Sequence, residues 1–260
     1  MDRISVATSG HVTTVTLNRP AVMNALDPQM HWELEAAFDA YAADPDQRVC
    51  VVTGAGDRAF CAGSDLKVAH AGGHDGAGYP PHGYAGIVER FDLTKPVIAA
   101  VNGLALGGGF ELALACDIIL AAEGASFGLP EPRVGAVALG GGIHRLARQI
   151  GQKQAMGMLL TGRPVGAAEG LALGFVNAVA GPGGLDALVD TWAADMLAGA
   201  PLSLQATKEA MMLGLEEPGV AAAMQAQAGY RAWAKWRESA DAREGVVAFV
   251  EKRAPVWTGR

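Results

Sequence analysis

Polar and apolar residues alternate in His11-Val12-Thr13-Thr14-Val15-Thr16-Leu17, the pattern of a strand with one buried face, and Ile4 to Thr8 can pair with it across a Ser9-Gly10 turn. A helix is expected next. Asp27-Pro28 supplies an N-cap and a proline at the first helical position, Met30, Leu34, Phe38 and Tyr41 fall on one face, and the pattern stops near Asp44-Pro45. Val49-Cys50-Val51-Val52-Thr53, closed by Gly54, is apolar almost throughout, as is Val97 to Val101; such runs suit strands covered on both faces of a parallel sheet. The Gly107-Gly108-Gly109 triplet leads into a helix over 110–116, and Asp117 to Ala121 returns to a strand. Residues 68–86, with Gly72, Gly73, Gly76, Gly78, Pro80, Pro81, Gly83 and Gly86, read as a flexible surface loop that could close as a lid. Beyond Pro130 the strand pattern is confined to Phe175 to Val179, and helices are expected over 143–160, 184–198, 201–214 and 219–237. The pattern as a whole predicts an α/β core over residues 1–195 and a helical segment over 196–260 that suits a subunit interface.

Composition narrows the function classes. The 260 residues are 50% hydrophobic and 18% charged, enough apolar material for a large core and too little charge for a disordered chain. Twenty Lys and Arg against 27 Asp and Glu give a net charge of −7, which argues against nucleic acid as partner. No apolar run approaches the ~20 residues that span a bilayer, and Met1-Asp2-Arg3-Ile4-Ser5 lacks the apolar core of an export signal, so a cytoplasmic location without membrane contact is expected. Cys50, Cys61 and Cys116 lie in apolar stretches without Cys-x-x-Cys spacing and read as reduced, buried thiols.

Several candidate sites weaken on inspection. Gly54-Ala55-Gly56-Asp57-Arg58-Ala59 follows a strand and matches the G-x-G-x-x-A turn of dinucleotide sites, but no helix starts inside it and the acid ~20 residues on would be Asp75, in the glycine-rich loop. His70, His74 and His82 have ligand-like spacing, yet the surrounding glycines deny them a helix, so they read as solvated loop histidines and no metal is expected. Ser64 lacks the flanking glycines of a hydrolase nucleophile elbow. Two glycine turns and two glutamates say more. Gly107-Gly108-Gly109-Phe110-Glu111 enters a helix, and Ala62-Gly63-Ser64 precedes a short helix from Asp65, so each can present unpaired backbone N–H groups to an anion. Glu111 and Glu131 have apolar neighbours that would raise their proton affinity and fit them for acid or base work. Residues alone leave a second reading equally open, in which Glu111 offsets a helix dipole and Glu131 caps a helix.

The same stretches resemble the enoyl-CoA hydratase/isomerase (crotonase) superfamily over nearly the whole chain. Asn18-Arg19-Pro20 with Asn24-Ala25-Leu26, Phe60-Cys61-Ala62-Gly63-Ser64-Asp65-Leu66, Lys95-Pro96-Val97-Ile98-Ala99-Ala100-Val101-Asn102-Gly103, Gly107 to Ala113, Phe127-Gly128-Leu129-Pro130-Glu131, Thr161-Gly162-Arg163, Gly174-Phe175-Val176-Asn177 and Phe249-Val250-Glu251-Lys252-Arg253 follow the family's landmarks in order. The resemblance implies a spiral of β-β-α repeats with a C-terminal helical segment that joins protomers into trimers or hexamers. Leu202, Leu204, Met211, Met212 and Leu215 are the apolar residues expected at such an interface. It also implies an acyl-CoA thioester substrate whose carbonyl oxygen sits between the backbone N–H groups of Ser64 and Gly108, with Ala62, Asp65, Leu66 and Lys252 at the substrate and its CoA. In the hydratase branch Glu111 would deprotonate water attacking C3 and Glu131 would deliver a proton to C2, with no metal and no cofactor beyond the CoA of the substrate. Ser64 departs from the alanine of many hydratases, and Ala138-Leu139-Gly140-Gly141-Gly142 from their Pro-Gly-x-Gly-Gly, which leaves the acyl group open. The tail from Glu251 to Arg260 resembles the carnitinyl-CoA dehydratase branch; a dehydratase, an isomerase and a non-enzymatic RNA-binding homologue are the alternative functions.

Overall fold

The computed structural model describes residues 1–68 and 78–260. β1 (Ile4–Ser9) and β2 (Val12–Leu17) form the expected antiparallel hairpin, with Ile4 opposite Leu17 and Ser9 opposite Val12. Its turn is Gly10-His11, one position later than the alternation suggests, because Gly10 supplies a positive φ of 55°. In α1 (Pro28–Ala43) the Asp27 carboxylate accepts from the Met30 N–H at 2.9 Å, and Met30, Leu34, Phe38 and Tyr41 are buried. The chain continues through β3 (Val49–Gly54), β4 (Ala59–Cys61), the single turn α2 (Leu66–Val68), β5 (Val97–Val101), β6 (Leu104–Leu106), α3 (Gly108–Ala115), β7 (Ile118–Ala122) and β8 (Ser126–Gly128). A 3-10 turn at Glu131–Val134 leads to α4 (Gly142–Gln149), α5 (Gln152–Thr161), β9 (Val165–Gly166), α6 (Ala167–Leu173), β10 (Ala178–Ala180) and α7 (Leu185–Ala198). The remainder is α8 (Pro201–Gly214), α9 (Val220–Ala226), α10 (Arg231–Glu238) and α11 (Asp241–Glu251).

One sheet has the order β1-β2-β3-β5-β7-β10, parallel except for the hairpin, and a second has the order β4-β6-β8-β9. β3, β5 and β7 each pass through a short turn into a strand of the second sheet and then into a helix or helical turn, so the chain winds as stacked β-β-α coils. This is the α/β spiral that the resemblance implies. The apolar runs have a direct cause: Cys50, Val52, Ala99, Val101, Ile119 and Ala121 face the main core, while Val49, Val51, Ile98, Ala100 and Leu120 face Val189 and Ala193 of α7.

Other expectations need correction. The helix over 143–160 breaks at Gly151 between α4 and α5, and the one over 219–237 is interrupted by a 3-10 turn at Gln227–Gly229. Phe175 and Val176 are not strand residues. Gly174 takes a left-handed φ of 98° at the end of α6, both following N–H groups donate to Gly170 O, and the Phe175 ring packs on Phe110 and Phe127. The supposed loop over 68–86 is closely packed at its far end, where a 3-10 turn at Tyr84–Gly86 is buried against α1; a Cβ on Gly86 would meet the backbone of Glu35 at 2.5 Å. The 69–77 part lies outside the described residues. Of the interface candidates, Leu202 is only 2% exposed and covered by its own chain, whereas Met211, Met212 and Leu215 are exposed. Cys50, Cys61 and Cys116 are free and buried. Among the described residues no helix is long and apolar enough to cross a membrane.

Candidate active site

The Ala62-Gly63-Ser64-Asp65 strand end is held by the segment before α1. Leu26 N–H donates to Gly63 O at 2.8 Å and Asp65 N–H donates to Leu26 O at 2.8 Å, so the intervening Ser64 N–H faces away from Leu26 and has no acceptor among the described residues. Asn24, in the left-handed region at φ 55°, braces this segment: its amide donates to Ala55 O and Ala59 O, and its side-chain oxygen accepts from Arg19 N–H. Across from Ser64, Gly107 ends β6 with its own N–H on Gly128 O and its carbonyl accepting from Phe110 and Glu111. That leaves Gly108 and Gly109 in the first turn of α3 with N–H groups that have no acceptor among the described residues. The two turns touch, since a Cβ on Gly63 would lie 3.1 Å from Gly108 N. Side chains are excluded for contact reasons: a Cβ on Gly108 would overlap the Tyr84 hydroxyl, and one on Gly109 would overlap Cys61 O. The Ser64 N–H on one turn and the Gly108 and Gly109 N–H groups on the adjacent turn are thus left without an acceptor among the described residues.

Glu111 lies in the first turn of α3, yet its carboxylate does not cap that helix. It is 3% exposed, and its Oε1 accepts from Gly142 N–H at 2.9 Å. Gly140 and Gly142 close over it, a Cβ on Gly140 falling 2.6 Å from Oε2, so the glycines that follow the departures at Ala138 and Leu139 are the wall of this carboxylate. Burial, aided by the Glu131 charge and opposed by the Gly142 and Gly140 N–H groups and the Arg145 charge, pushes Glu111 up to about 7. Glu131 opens the 3-10 turn after Pro130 and makes no cap either. Its Oε1 would lie 3.0 Å from a Cβ on Gly107, its Oε2 is buried with no hydrogen-bond partner among the described residues, and burial raises its pKa. Both carboxylates sit in the first turn of their helical segments, as the dipole reading expects, and burial raises the proton affinity of both, as the acid-base reading expects. Beside Glu131 lies a cavity of about 330 Å³ walled by Leu129, Ala138, Ile143, Ala155, Met156 and Leu159.

The remaining candidates are scattered. Ala62 is half-buried beside Ser64, and Asp65 is committed to Arg19 at 3.0 Å and to the Val68 N–H. Although burial alone would raise it, Arg19 holds the Asp65 carboxyl below the usual range. Leu66 is 63% exposed at the start of α2. Lys252 ends α11 in a left-handed conformation, exposed, with no hydrogen bond or ion pair to the two glutamates among the described residues. His82 is not a solvated histidine: its Nδ1 lies 2.6 Å from Glu35 Oε1. His70, His74 and Asp75 lie outside the described residues. Glu35, Asp39 and His82 bring ligand atoms within 4.8 Å of one another, but the Arg90 guanidinium sits among them, 3.3 Å from Glu35 and 2.8 Å from Asp39, where a cation would go. After Gly54 no helix begins, and the Asn102 amide occupies the turn by donating to Gly54 O and Gly56 O, so the dinucleotide motif is a strand connection. Sequence reasoning missed Tyr84 and Arg145: the first lay among glycines assigned to a loop, and the second carried no local signal.

The family model described as enoyl-CoA hydratase/isomerase matches residues 7–260. The chain is 40% identical over 256 residues to (E)-benzylidenesuccinyl-CoA hydratase of Thauera aromatica, covering 98% of this chain and 99% of that one. It is 41% identical over 260 residues to carnitinyl-CoA dehydratase of Escherichia coli K12, covering 100% and 99%. Among solved structures, the enoyl-CoA hydratase EchA1 of Mycobacterium marinum superimposes over 100% of both chains with a TM-score of 0.92 at 37% identity.

Proposed function

Because the chain belongs to the enoyl-CoA hydratase/isomerase family, whose relatives at about 40% identity are named as a hydratase and a dehydratase, we propose that it adds water reversibly to a trans-2-enoyl-CoA, giving a 3-hydroxyacyl-CoA. The observation that supports this reading is the pairing of two incompletely compensated carboxylates with two free N–H groups: Glu131 Oε1 reaches the Gly107 Cα, one residue from Gly108, and Glu111 lies on the same helix turn. Ser64 N–H and Gly108 N–H hold the thioester oxygen and stabilise the enolate that forms when oxygen adds at C3. Glu111 orients the water and takes its proton, and Glu131 gives a proton to C2 as the enolate collapses. The hydroxyl and the C2 hydrogen are thus both accounted for, and proton exchange with solvent returns the pair to its starting state. Backbone N–H groups favour the carboxylate form of both, Gly142 and Gly140 for Glu111 and its own N–H for Glu131, and burial opposes them at each, which keeps both groups able to exchange a proton. Coenzyme A enters as part of the substrate and no further cofactor takes part.

The cavity beside Glu131 is the acyl site in this reading. Its wall is aliphatic apart from Glu131 and Gln152, which favours a neutral apolar chain over a quaternary ammonium group. Turnover across neutral enoyl-CoA thioesters of several lengths, with crotonobetainyl-CoA included, is the test: hydration of at least one neutral member is expected, and folded protein inert to the whole panel would refute the function. The exposed Met211, Met212, Leu215, Phe249 and Val250 further support a trimer or dimer of trimers; a monomer in light scattering at micromolar concentration would contradict it.

A further inference from the structure

Tyr84 stands at the oxyanion turns, and the hydration scheme leaves its chemistry unused. It is 8% exposed, and its ring packs edge-on against His31 at 4.5 Å and tilted against Tyr79 at 5.5 Å. The next residue donates its N–H to His31 Nδ1 at 3.0 Å, so α1 fixes the ring from behind. The hydroxyl lies 2.9 Å from Ser64 Oγ and rests against the Gly108 Cα, where any Cβ would overlap it. The pair therefore adjoins Ser64 and Gly108, two of the residues whose N–H groups have no acceptor among the described residues.

Proton counting gives the pair a function. Two hydroxyls carry two protons, and one O–H···O hydrogen bond uses one of them. Neither oxygen has another hydrogen-bond partner among the described residues, so the second proton is without a protein acceptor in a half-buried site. Burial keeps Tyr84 protonated and able to donate, against the lowering effect of the Ser64 contact. We propose that this uncommitted proton is donated to the thioester oxygen of the bound acyl-CoA, which makes the Ser64–Tyr84 hydroxyl pair a third hydrogen-bond donor of the oxyanion hole. The proposal rests on the hydration reading, from which it takes the site of the developing oxygen charge. It also gives the departure at Ser64 a purpose, because alanine there would leave Tyr84 without its partner. A donor aimed at a charge that grows during the reaction shows itself in kcat more than in KM.

The test uses the full chain with Tyr84→Phe, which keeps the ring and its packing, and Ser64→Ala, which frees the Tyr84 proton to turn to the same oxygen. Tyr84→Phe is expected to lower kcat about 10- to 100-fold with KM within about twofold, and Ser64→Ala to lower it less. A second readout needs no turnover: acetoacetyl-CoA, whose 1,3-dicarbonyl group enolises when its thioester oxygen is strongly hydrogen-bonded, is expected to show a weaker enolate absorbance on Tyr84→Phe than on the parent. Unchanged kcat and enolate absorbance would reduce Tyr84 to packing and overturn the proposal. A rise in KM at constant kcat would place the contact elsewhere on the acyl chain and overturn it as well. A parent protein that hydrates nothing, yet whose enolate absorbance depends on Tyr84, would refute the hydratase reading and uphold the third donor.

Discussion

Glu35 and Glu111 are almost equally buried, at 5% and 3% exposure, and the fold treats them in opposite ways. Glu35 is held by countercharge: the Arg90 guanidinium, its side chain 2% exposed, lies 3.3 Å from Glu35 Oε2, which accepts no hydrogen bond among the described residues, and 2.8 Å from Asp39, and His82 Nδ1 lies 2.6 Å from Glu35 Oε1. Glu111 receives backbone N–H groups from Gly142 and Gly140, feels Arg145 without an ion pair, and has a second carboxylate, Glu131, close enough to raise its proton affinity. Burying a carboxylate without a partner costs several kcal/mol, and a chain that needs only structure from an acid pairs it. An acid left short of charge is what the proposed proton transfer by Glu111 would require.

Three experiments press on that contrast. The largest effect is expected from Glu111→Gln and Glu131→Gln, each lowering kcat by about 10²- to 10⁴-fold in a protein that still folds. The double variant should cost less than the sum of the two, since both groups serve one water addition; full activity in either single variant would move that glutamate to the structural class. Next comes Arg90→Met, which strands Glu35 and should lower stability by about 3 kcal/mol in urea titration, with a far smaller change in kcat than either glutamate variant gives. The last contrast is in pH. A carboxyl at about 7 in the folded chain and near 4.5 unfolded contributes stability that is full below 4.5 and is lost as pH rises through 7. The Glu111→Gln variant should therefore gain on the parent in unfolding free energy across pH 4.5–7. Catalysis runs the other way, since the Glu111 base is lost by protonation, so kcat/KM should fall as pH drops below about 7. Parallel stability curves for the two proteins would show that Glu111 titrates alike in both states.

How much of this was legible in the sequence depends on the scale at which each feature acts. α1 could be read because Asp27, Pro28 and a four-residue spacing of buried side chains all act locally. β3 and β5 could be read because both faces are covered and nearly every position is apolar. β4, β6 and β8 are three residues long and β9 two, shorter than any period, and they exist only because a preceding coil offers an edge to pair with. At the site, glycine turns and glutamates were visible as residue types, but the choice between acid and cap was not, because the groups that settle their surroundings, Gly142 for Glu111 and the empty flank of Glu131 Oε2, are assembled by packing. Tyr84 was hidden by composition: its neighbours are glycines, and their positive φ at Gly83 and Gly86 folds the segment onto α1 instead of loosening it.

The stacked coils also bear on how the chain comes to work. Ser64 belongs to the coil of β3 and β4, Gly108 and Glu111 to that of β5 and β6, and Glu131 to that of β7 and β8, with the Glu111 wall at Gly140 and Gly142 arriving later still. Each catalytic contact thus joins segments distant in sequence, the type of contact that closes late and slows folding. A growing chain has no partial version of this centre: it appears when the third coil docks and α4 closes over Glu111. Activity is for that reason a sensitive clock for completed winding, lagging behind the helix content acquired by the first two coils and lost as soon as the third peels away.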